Sequence, residues 1–259
     1  MRTLATRRFA PLGGRFAVLA DIHGNADALR AVQADMAQFQ PEDVLVLGDH
    51  FSGPLDAAGT AGLLLRHRIL ALRGNHDRYL LEQSPTEMGR SDRVALEALE
   101  DVALDWLAGL PEVMDFGDVW ACHAMPGCDD VYWTHEVARD GTVSLRHVDD
   151  IAAEVAAAGI GASLILCAHT HLPVTLRLPT GQILLNPGSV GCPAYEDELP
   201  VPHVIETGHA HAAWALVERQ GDHWSITQRF VPYDTTQMVA RARAHARWDW
   251  ARAVETGFL

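Results

Sequence analysis

The sequence predicts an α/β fold, because strands and helices alternate through the first two thirds of the chain. Five short apolar runs, each followed by polar residues, are typical of buried strands, and they cover residues 16–20, 44–47, 69–72, 119–122 and 164–168. The segments between them have the apolar spacing of amphipathic helices, at residues 26–39, 55–65, 92–107 and 149–158. Strands and helices that alternate in this way form layered proteins, in which helices cover the faces of a sheet.

The last third of the chain has a different pattern. Four apolar runs follow one another with turns rather than helices between them, at residues 174–178, 182–185, 212–218 and 224–230. This pattern predicts an antiparallel second sheet. Residues 235–255 are rich in Ala and Arg and include Trp248 and Trp250, which predicts a C-terminal helix packed on the outside. We expect residues 1–14 to be a flexible tail and residues 15–259 to form one domain.

Composition limits the classes of function. The chain has 34 acidic and 20 basic residues and a formal charge of -14 at pH 7. This balance argues against extended nucleic-acid binding, which needs clustered cations, and favours a small substrate. The four cysteines form no C-x-x-C pair, so neither a disulfide framework nor a thiolate zinc site is indicated. No stretch is long and apolar enough to span a membrane, and we expect a soluble, cytoplasmic protein.

Side chains suited to metal binding follow the predicted strands at the points where the strands end. They are Asp21, His23, Asp49, Asn75, His76, His123, His169 and His171. In open α/β sheets, ligands bind at the carboxyl ends of the strands. Residues two apart in an extended segment point to the same side, so Asp21 with His23, and His169 with His171, can each converge on one point. Mixed oxygen and nitrogen ligands suit divalent ions such as manganese, iron or zinc.

The ordered blocks ADIHGN, GDH, RGNHD, CHA and AHTH resemble those of the calcineurin-like metallophosphoesterases. The resemblance covers nearly the whole chain, and the later blocks LNPGSVG and VPYD are similar to those of the bacterial phosphodiesterase or phosphatase subgroup. It implies a four-layer α-β-β-α double β-sandwich. It also implies a dinuclear-metal-dependent phosphoesterase that hydrolyses phosphodiesters or phosphomonoesters by in-line attack of a metal-bridging hydroxide.

The resemblance implies a role for each matching residue. Two divalent ions (manganese, iron, zinc or nickel) are expected, the first held by Asp21, His23 and His171 and the second by Asn75, His123 and His169, with Asp49 bridging both. His76 matches a histidine that is not a metal ligand, contacts the phosphate and protonates the leaving oxygen. Asp77 is expected to orient His76. The expected partner is a small phosphoester, with nucleotide-like diesters favoured.

Three further residues are candidates for substrate binding, each with an alternative structural role. Asn25 either contacts the substrate or caps the helix that follows it. Arg73 either binds phosphate or pairs with a carboxylate. Tyr132 either faces the site or is a packing residue, as aromatic residues usually are. The segment 192–210, which carries acids at 196–198, is expected to shape access to the site.

Two alternative functions stay open. The related serine/threonine phosphatases carry Gly-Asp-x-x-Asp-Arg-Gly, whereas residues 48–54 read GDHFSGP, so the arginine that binds phosphate in those enzymes is missing. This difference disfavours a phosphoprotein phosphatase. The second alternative is a scaffold protein that keeps the fold without catalysis. A scaffold would be expected to have lost metal ligands or His76, and this chain has all of them.

Overall fold

Two large β-sheets form the centre of the structure, a computed structural model that describes residues 6–259. The six-stranded sheet has the order β1-β5-β6-β9-β11-β10. Its strands are β1 (Thr6–Arg8), β5 (Val113–Asp115), β6 (Val119–Cys122), β9 (Leu164–Leu166), β10 (Val174–Arg177) and β11 (Ile183–Asn186). The five-stranded sheet has the order β15-β14-β2-β3-β4. Its strands are β2 (Arg15–Leu19), β3 (Asp43–Val46), β4 (Leu70–Ala71), β14 (Ala212–Gln220) and β15 (His223–Val231).

Helices and two small hairpins complete the described part of the chain. The helices are α1 (Ala26–Met36), α2 (Ala57–Leu64), α3 (Asn75–Glu82), α4 (Arg90–Ala98), α5 (Asp101–Ala108), α6 (Val148–Ala157), α7 (Thr236–Ala244) and α8 (Trp248–Thr256). One hairpin pairs β7 (His135–Val137) with β8 (Val143–Leu145), and the other pairs β12 (Ala194–Asp197) with β13 (His203–Glu206). Among residues 6–259, none of the helices combines the length and the apolar character that crossing a membrane requires.

The apolar side chains divide the fold into four layers. In β2, Phe16 and Val18 belong to a core between the two sheets, whereas Ala17 and Leu19 face α1 and α2. This alternation follows from the two-residue period of a strand. The outer face of the six-stranded sheet packs against Ile151 of α6. The α-β-β-α double β-sandwich is therefore confirmed.

The five strands predicted in the first two thirds of the chain are confirmed as β2, β3, β4, β6 and β9. The prediction of a separate antiparallel sheet in the last third is wrong. β10 and β11 are antiparallel to each other but join the six-stranded sheet through β9, and β14 joins the five-stranded sheet through β2. The residues of β14 from Ala212 to Val217 are all buried, as expected for a strand covered on both faces.

Two predicted helices are each divided in the structure. The helix predicted at 92–107 is α4 and α5, because Leu99 and Glu100 have extended backbone. The helix predicted at 235–255 is α7 and α8, because Ala246 has a φ of 52°. Residues 6–8 of the predicted tail form β1, which pairs in parallel with β5, and residues 1–5 lie outside the described part of the chain.

We expect Leu45→Ala to lower the free energy of unfolding by about 2–5 kcal/mol, because Leu45 is fully buried between the sheets and its removal leaves a cavity. Urea unfolding of the metal-free protein measures this change. The control is Val102→Ala on α5, where the side chain is 58% exposed and the expected change is within about 0.5 kcal/mol. Similar losses in the two variants would contradict the assignment of Leu45 to the core.

Candidate metal centre

The predicted metal ligands lie together where five strands end. Asp21 and His23 follow β2, Asp49 follows β3, and Asn75 begins α3 after β4. The remaining three come from the other sheet, with His123 after β6, and His169 and His171 after β9. Both sheets therefore contribute to one site at their common edge.

The ligand atoms form two adjacent groups. One comprises Asp21, His23 and His171, and the other comprises Asp49, His123 and His169; within each group the atoms lie within 4.8 Å of one another. Oδ2 of Asp49 is 3.4 Å from Nε2 of His123 and 3.7 Å from Nε2 of His23, which belongs to the first group. The Asp49 carboxylate is thus positioned between the groups. Oδ1 of Asn75 is 2.9 Å from Nε2 of His123, which adds an amide oxygen to the second group.

Backbone carbonyls fix the orientation of three of the histidines. Nδ1 of His23 donates to the carbonyl of Ser52 (2.9 Å), that of His123 to Leu47 (2.7 Å) and that of His171 to Cys192 (2.6 Å). Because these carbonyls only accept, each Nδ1 carries a proton and each Nε2 is directed into the site. Burial lowers the pKa of His23 to about 4 and holds that of His171 well below its usual value, so both rings are neutral. Their Nε2 lone pairs face each other at 3.1 Å, an arrangement that a cation stabilises.

The carboxylates also fit bound cations. Oδ1 of Asp21 is buried and has no hydrogen-bond partner among residues 6–259. Burial raises the pKa of Asp21 to about 8. Burial also opposes charge on His123, but Asp49 and Asp21 outweigh it and raise the pKa of His123 to about 10. In the metal-free protein, protons therefore supply the positive charge that these buried acids require, and divalent ions are suited to replace them.

Five of the seven ligands have left-handed backbone, a conformation that is uncommon outside glycine. The φ values are 52° at Asp21, 50° at His23, 55° at Asp49, 70° at His169 and 59° at His171. The paired ligands do converge, but our reason for expecting this, an extended segment, was wrong. Tight turns at the strand ends aim these side chains. Gly74 makes room for them, because a Cβ at this position would overlap with Oδ1 of Asp49.

His76 lies beside the two groups, with one ring nitrogen held in place. Its Nδ1 is 2.8 Å from Oδ1 of Asp92 and 3.2 Å from Oγ of Ser52, and Ser52 also donates to Asp92. Burial disfavours the charged ring, but Asp49 and Asp92 outweigh this effect and raise the pKa of His76 to about 9. The prediction that Asp77 orients His76 is wrong.

Asp77 instead fixes the loop that carries Asp49. Its carboxylate accepts hydrogen bonds from the backbone N–H groups of Gly74, Asp49 and His50, and from Nδ1 of His50. Asp77 is the third residue of α3, where a carboxylate turns back to the free N–H groups at the helix start. Asp92 is the residue that the sequence did not reveal, because it belongs to α4 and is 16 residues from His76.

A cavity of about 810 Å³ opens above the two groups. The two small hairpins and α8 contribute to its walls, and the segment 192–210 supplies Tyr195, Glu196, Asp197 and Leu199. The hydroxyl of Tyr195 donates to the carbonyl of His169 (3.3 Å). The segment 192–210 therefore borders the entrance to the site.

The three candidate substrate contacts have different environments in the structure. Asn25 is fully buried, caps α1 and donates to Gly191 and Tyr233, so it is a structural residue. Arg73 pairs with Glu112 (3.1 Å) and is not part of the cavity wall. Both residues are therefore bonded to structural partners, and neither lines the cavity. Tyr132 does line the cavity, and its hydroxyl is 2.7 Å from that of Tyr195.

We expect metal binding to release protons at pH 7, because Asp21 and His123 hold protons in the metal-free protein and a ligand must give up its proton. Titration calorimetry with Mn²⁺ in buffers of different ionisation enthalpy measures the number of protons released. We expect about two protons to be released when both ions are bound. The affinity should rise with pH up to about 10, and more steeply below about 8, where Asp21 and His123 both carry protons, than above it. A binding enthalpy that does not depend on the buffer would contradict this prediction.

Comparisons with known proteins agree with the fold. Residues 15–205 match the model of the calcineurin-like phosphoesterase superfamily domain. No match was found among curated proteins.

Solved structures show the same fold. A metallophosphoesterase from Sphaerobacter thermophilus is 21% identical with a TM-score of 0.68, over 92% of this chain and 99% of that one. A hypothetical protein from Pyrococcus horikoshii OT3 is 18% identical with a TM-score of 0.70, over 94% and 98% of the two chains. The resemblance seen in the sequence is confirmed, and the chain belongs to the calcineurin-like phosphoesterase superfamily.

Proposed function

We propose that this protein is a phosphoesterase that depends on two divalent metal ions and hydrolyses small phosphodiesters or phosphomonoesters. The observation that carries the proposal is the position of Asp49 between two groups of ligand atoms, with His76 beside them at one cavity. Nucleotide-like diesters fit a cavity of about 810 Å³.

The residues fit two ions of the borderline divalent type. Asp21, His23 and His171 would hold one ion, and His123, His169 and Asn75 would hold the other, with Asp49 shared. Manganese, iron, zinc and nickel all accept this mixture of imidazole and oxygen ligands. Bound ions supply an acidified water as nucleophile and positive charge near the phosphate oxygens.

His76 supplies the proton in this proposal. Its Nδ1 is held by Asp92, so its Nε2 is the nitrogen available to a ligand in the cavity. A cationic imidazole there donates a hydrogen bond to a phosphate oxygen and then a proton to the leaving oxygen. Asp92 fixes the ring and stabilises its charge, and Ser52 holds Asp92 through a 2.5 Å hydrogen bond.

Two observations separate this proposal from its alternatives. A catalytically inactive scaffold has no need of a complete ligand set, whereas here all seven ligands and His76 occupy one site. A phosphoprotein phosphatase requires a cation that grips the phosphate, and the two arginines in the cavity wall are each paired with a carboxylate. Arg73, the other candidate, lies outside the cavity wall.

We expect the purified protein to hydrolyse p-nitrophenyl phosphate or bis-p-nitrophenyl phosphate when Mn²⁺ is added, and to lose this activity in EDTA. Asp49→Asn should abolish turnover and lower the bound metal content, because it removes the shared charge. His76→Ala should lower kcat by about 10²–10⁴-fold while the metal content is retained. Absorbance assays and elemental analysis measure these effects.

The control for these two variants is His67→Ala, because His67 is exposed and lies outside the site. It should keep full activity and metal content. The proposal fails if folded protein shows no turnover with manganese, iron, zinc or nickel. Equal metal loss in Asp49→Asn and His76→Ala would contradict the separate roles of the two residues.

We expect Asp92→Asn to lower kcat by about 10–100-fold with little change in KM, because it leaves a neutral partner for His76. The loss should be larger for an alkyl phosphoester, which needs its leaving oxygen protonated, than for a p-nitrophenyl ester, which does not. Kinetics on matched alkyl and aryl substrates measure this difference. Asp101→Asn, an exposed acid at the start of α5, is the control. Equal losses on both substrates would show that Asp92 has only a structural role.

A further inference from the structure

The walls of the cavity carry negative charge above a floor that binds cations. Apart from the ligand Asp49, five acidic residues line the cavity: Asp130, Glu136, Glu196, Asp197 and Asp249. Asp249 pairs with Arg247 and Asp130 lies 3.6 Å from Arg78, so Glu136, Glu196 and Asp197 supply the negative charge of the wall. Two arginines line the cavity, Arg146 and Arg247. The sequence contains no lysine, so no lysine side chain lines the cavity.

Both arginines are held by carboxylates. Nη1 and Nη2 of Arg146 donate to Glu154 at 3.0 and 2.6 Å. Nε of Arg247 donates to Asp249 at 3.0 Å. Two-point contacts of this kind hold the guanidinium in one orientation and neutralise its charge. A second phosphate on the substrate would therefore lie near carboxylates, and neither arginine of the cavity wall is free to pair with it.

Two tyrosine rings of the cavity wall lie beside the ligand histidines. The Tyr132 ring centroid is 5.1 Å from that of His169, and the Tyr195 centroid is 4.6 Å from that of His171. Their hydroxyls bond to each other, and that of Tyr132 also bonds to Nε2 of His203 (2.9 Å), which fixes both rings. Fixed tyrosine rings with carboxylates nearby are the combination that attracts an ammonium ion.

From the charge of the walls and the position of the two tyrosines, we propose that the substrate is a phosphodiester with a positively charged amino alcohol as its second ester group. This inference rests on the proposed function and names its substrate class. The reacting phosphate pairs with the metal centre, and the ammonium group lies beside Tyr132, Tyr195 and the carboxylate of Asp197, which shares a face of β12 with Tyr195. Glu196, on the other face of β12, adds to the negative charge of the cavity wall. Substrates with further phosphates are excluded by repulsion from the same carboxylates.

The test uses three p-nitrophenyl phosphodiesters that differ only in the second alcohol. The alcohols are choline, its neutral isostere 3,3-dimethylbutanol, and the anionic 2-hydroxyethylphosphonate. Since the leaving group is shared, differences in kcat/KM report on the second ester group. We expect kcat/KM to fall from the choline ester to the neutral ester and again to the anionic ester. The kcat/KM values of the choline and anionic esters should differ at least about tenfold, and this ratio should become smaller at high salt. An anionic ester that is hydrolysed as well as the neutral one would overturn the proposal.

A pair of variants assigns the selectivity to the cavity wall. The double variant Glu196→Gln, Asp197→Asn should bring the three kcat/KM values closer together. The matched control is Glu198→Gln, the next residue of the same segment, which is exposed and does not line the cavity. It should keep the wild-type ratios. Ratios that stay the same in the double variant would overturn the assignment.

A measurement without metal separates this inference from the proposed function. Saturation-transfer NMR on the metal-free protein should detect choline binding but not 3,3-dimethylbutanol binding, and the double variant should lose the choline signal. Equal signals for the two alcohols would overturn the inference whatever the activity. No turnover of any of the three esters by folded, metal-loaded protein would instead contradict the proposed function.

Discussion

The buried charge of Asp49 is the constraint on which the rest of the site depends. Its side chain is 1% exposed, and an unpaired carboxylate in that position would cost several kcal/mol. Oδ1 accepts from the backbone N–H of His76 (3.0 Å), and Oδ2 faces His23 and His123. Asp49 thus draws the segments that follow β2, β4 and β6 to one point. Both groups of candidate ligands and His76 lie around it for this reason.

The strained turns at the strand ends persist because hydrogen bonds continue beyond the sheet. Each left-handed residue costs about 1 kcal/mol relative to ordinary backbone. The N–H of Asp21 donates to the backbone carbonyl of Gly48 (3.1 Å), and the N–H of His23 donates to the backbone carbonyl of Asp49 (2.9 Å). The turns after β2 and β3 therefore support each other. These hydrogen bonds and the apolar core beneath the turns supply the free energy that holds the ligands in position.

The sequence predicted the ligands and the central strands because both depend on local information. An apolar run that ends in Asp, His or Asn marks a strand and its terminal ligands without knowledge of the neighbours. The role of Asp77 was predicted wrongly because adjacency along the chain does not give the direction of a side chain at a helix start. The contact of Asp92 with His76 and the pairing of β14 with β2 join segments that are distant in the sequence, and no local pattern contains such contacts. Asn25 and Arg73 are bound to structural partners that only the folded chain brings near them.

Each of the two ligand groups takes side chains from both sheets. In the first group, Asp21 and His23 come from the five-stranded sheet and His171 from the six-stranded one; in the second, Asp49 comes from the former and His123 and His169 from the latter. The separation of the groups is therefore set by how the sheets stack, and the apolar side chains between them act as a spacer of fixed thickness. Ions bound there would act as cross-links between the sheets. A substitution far below the cavity that tilts one sheet would change the distance between the two groups, although it contacts no residue of the site.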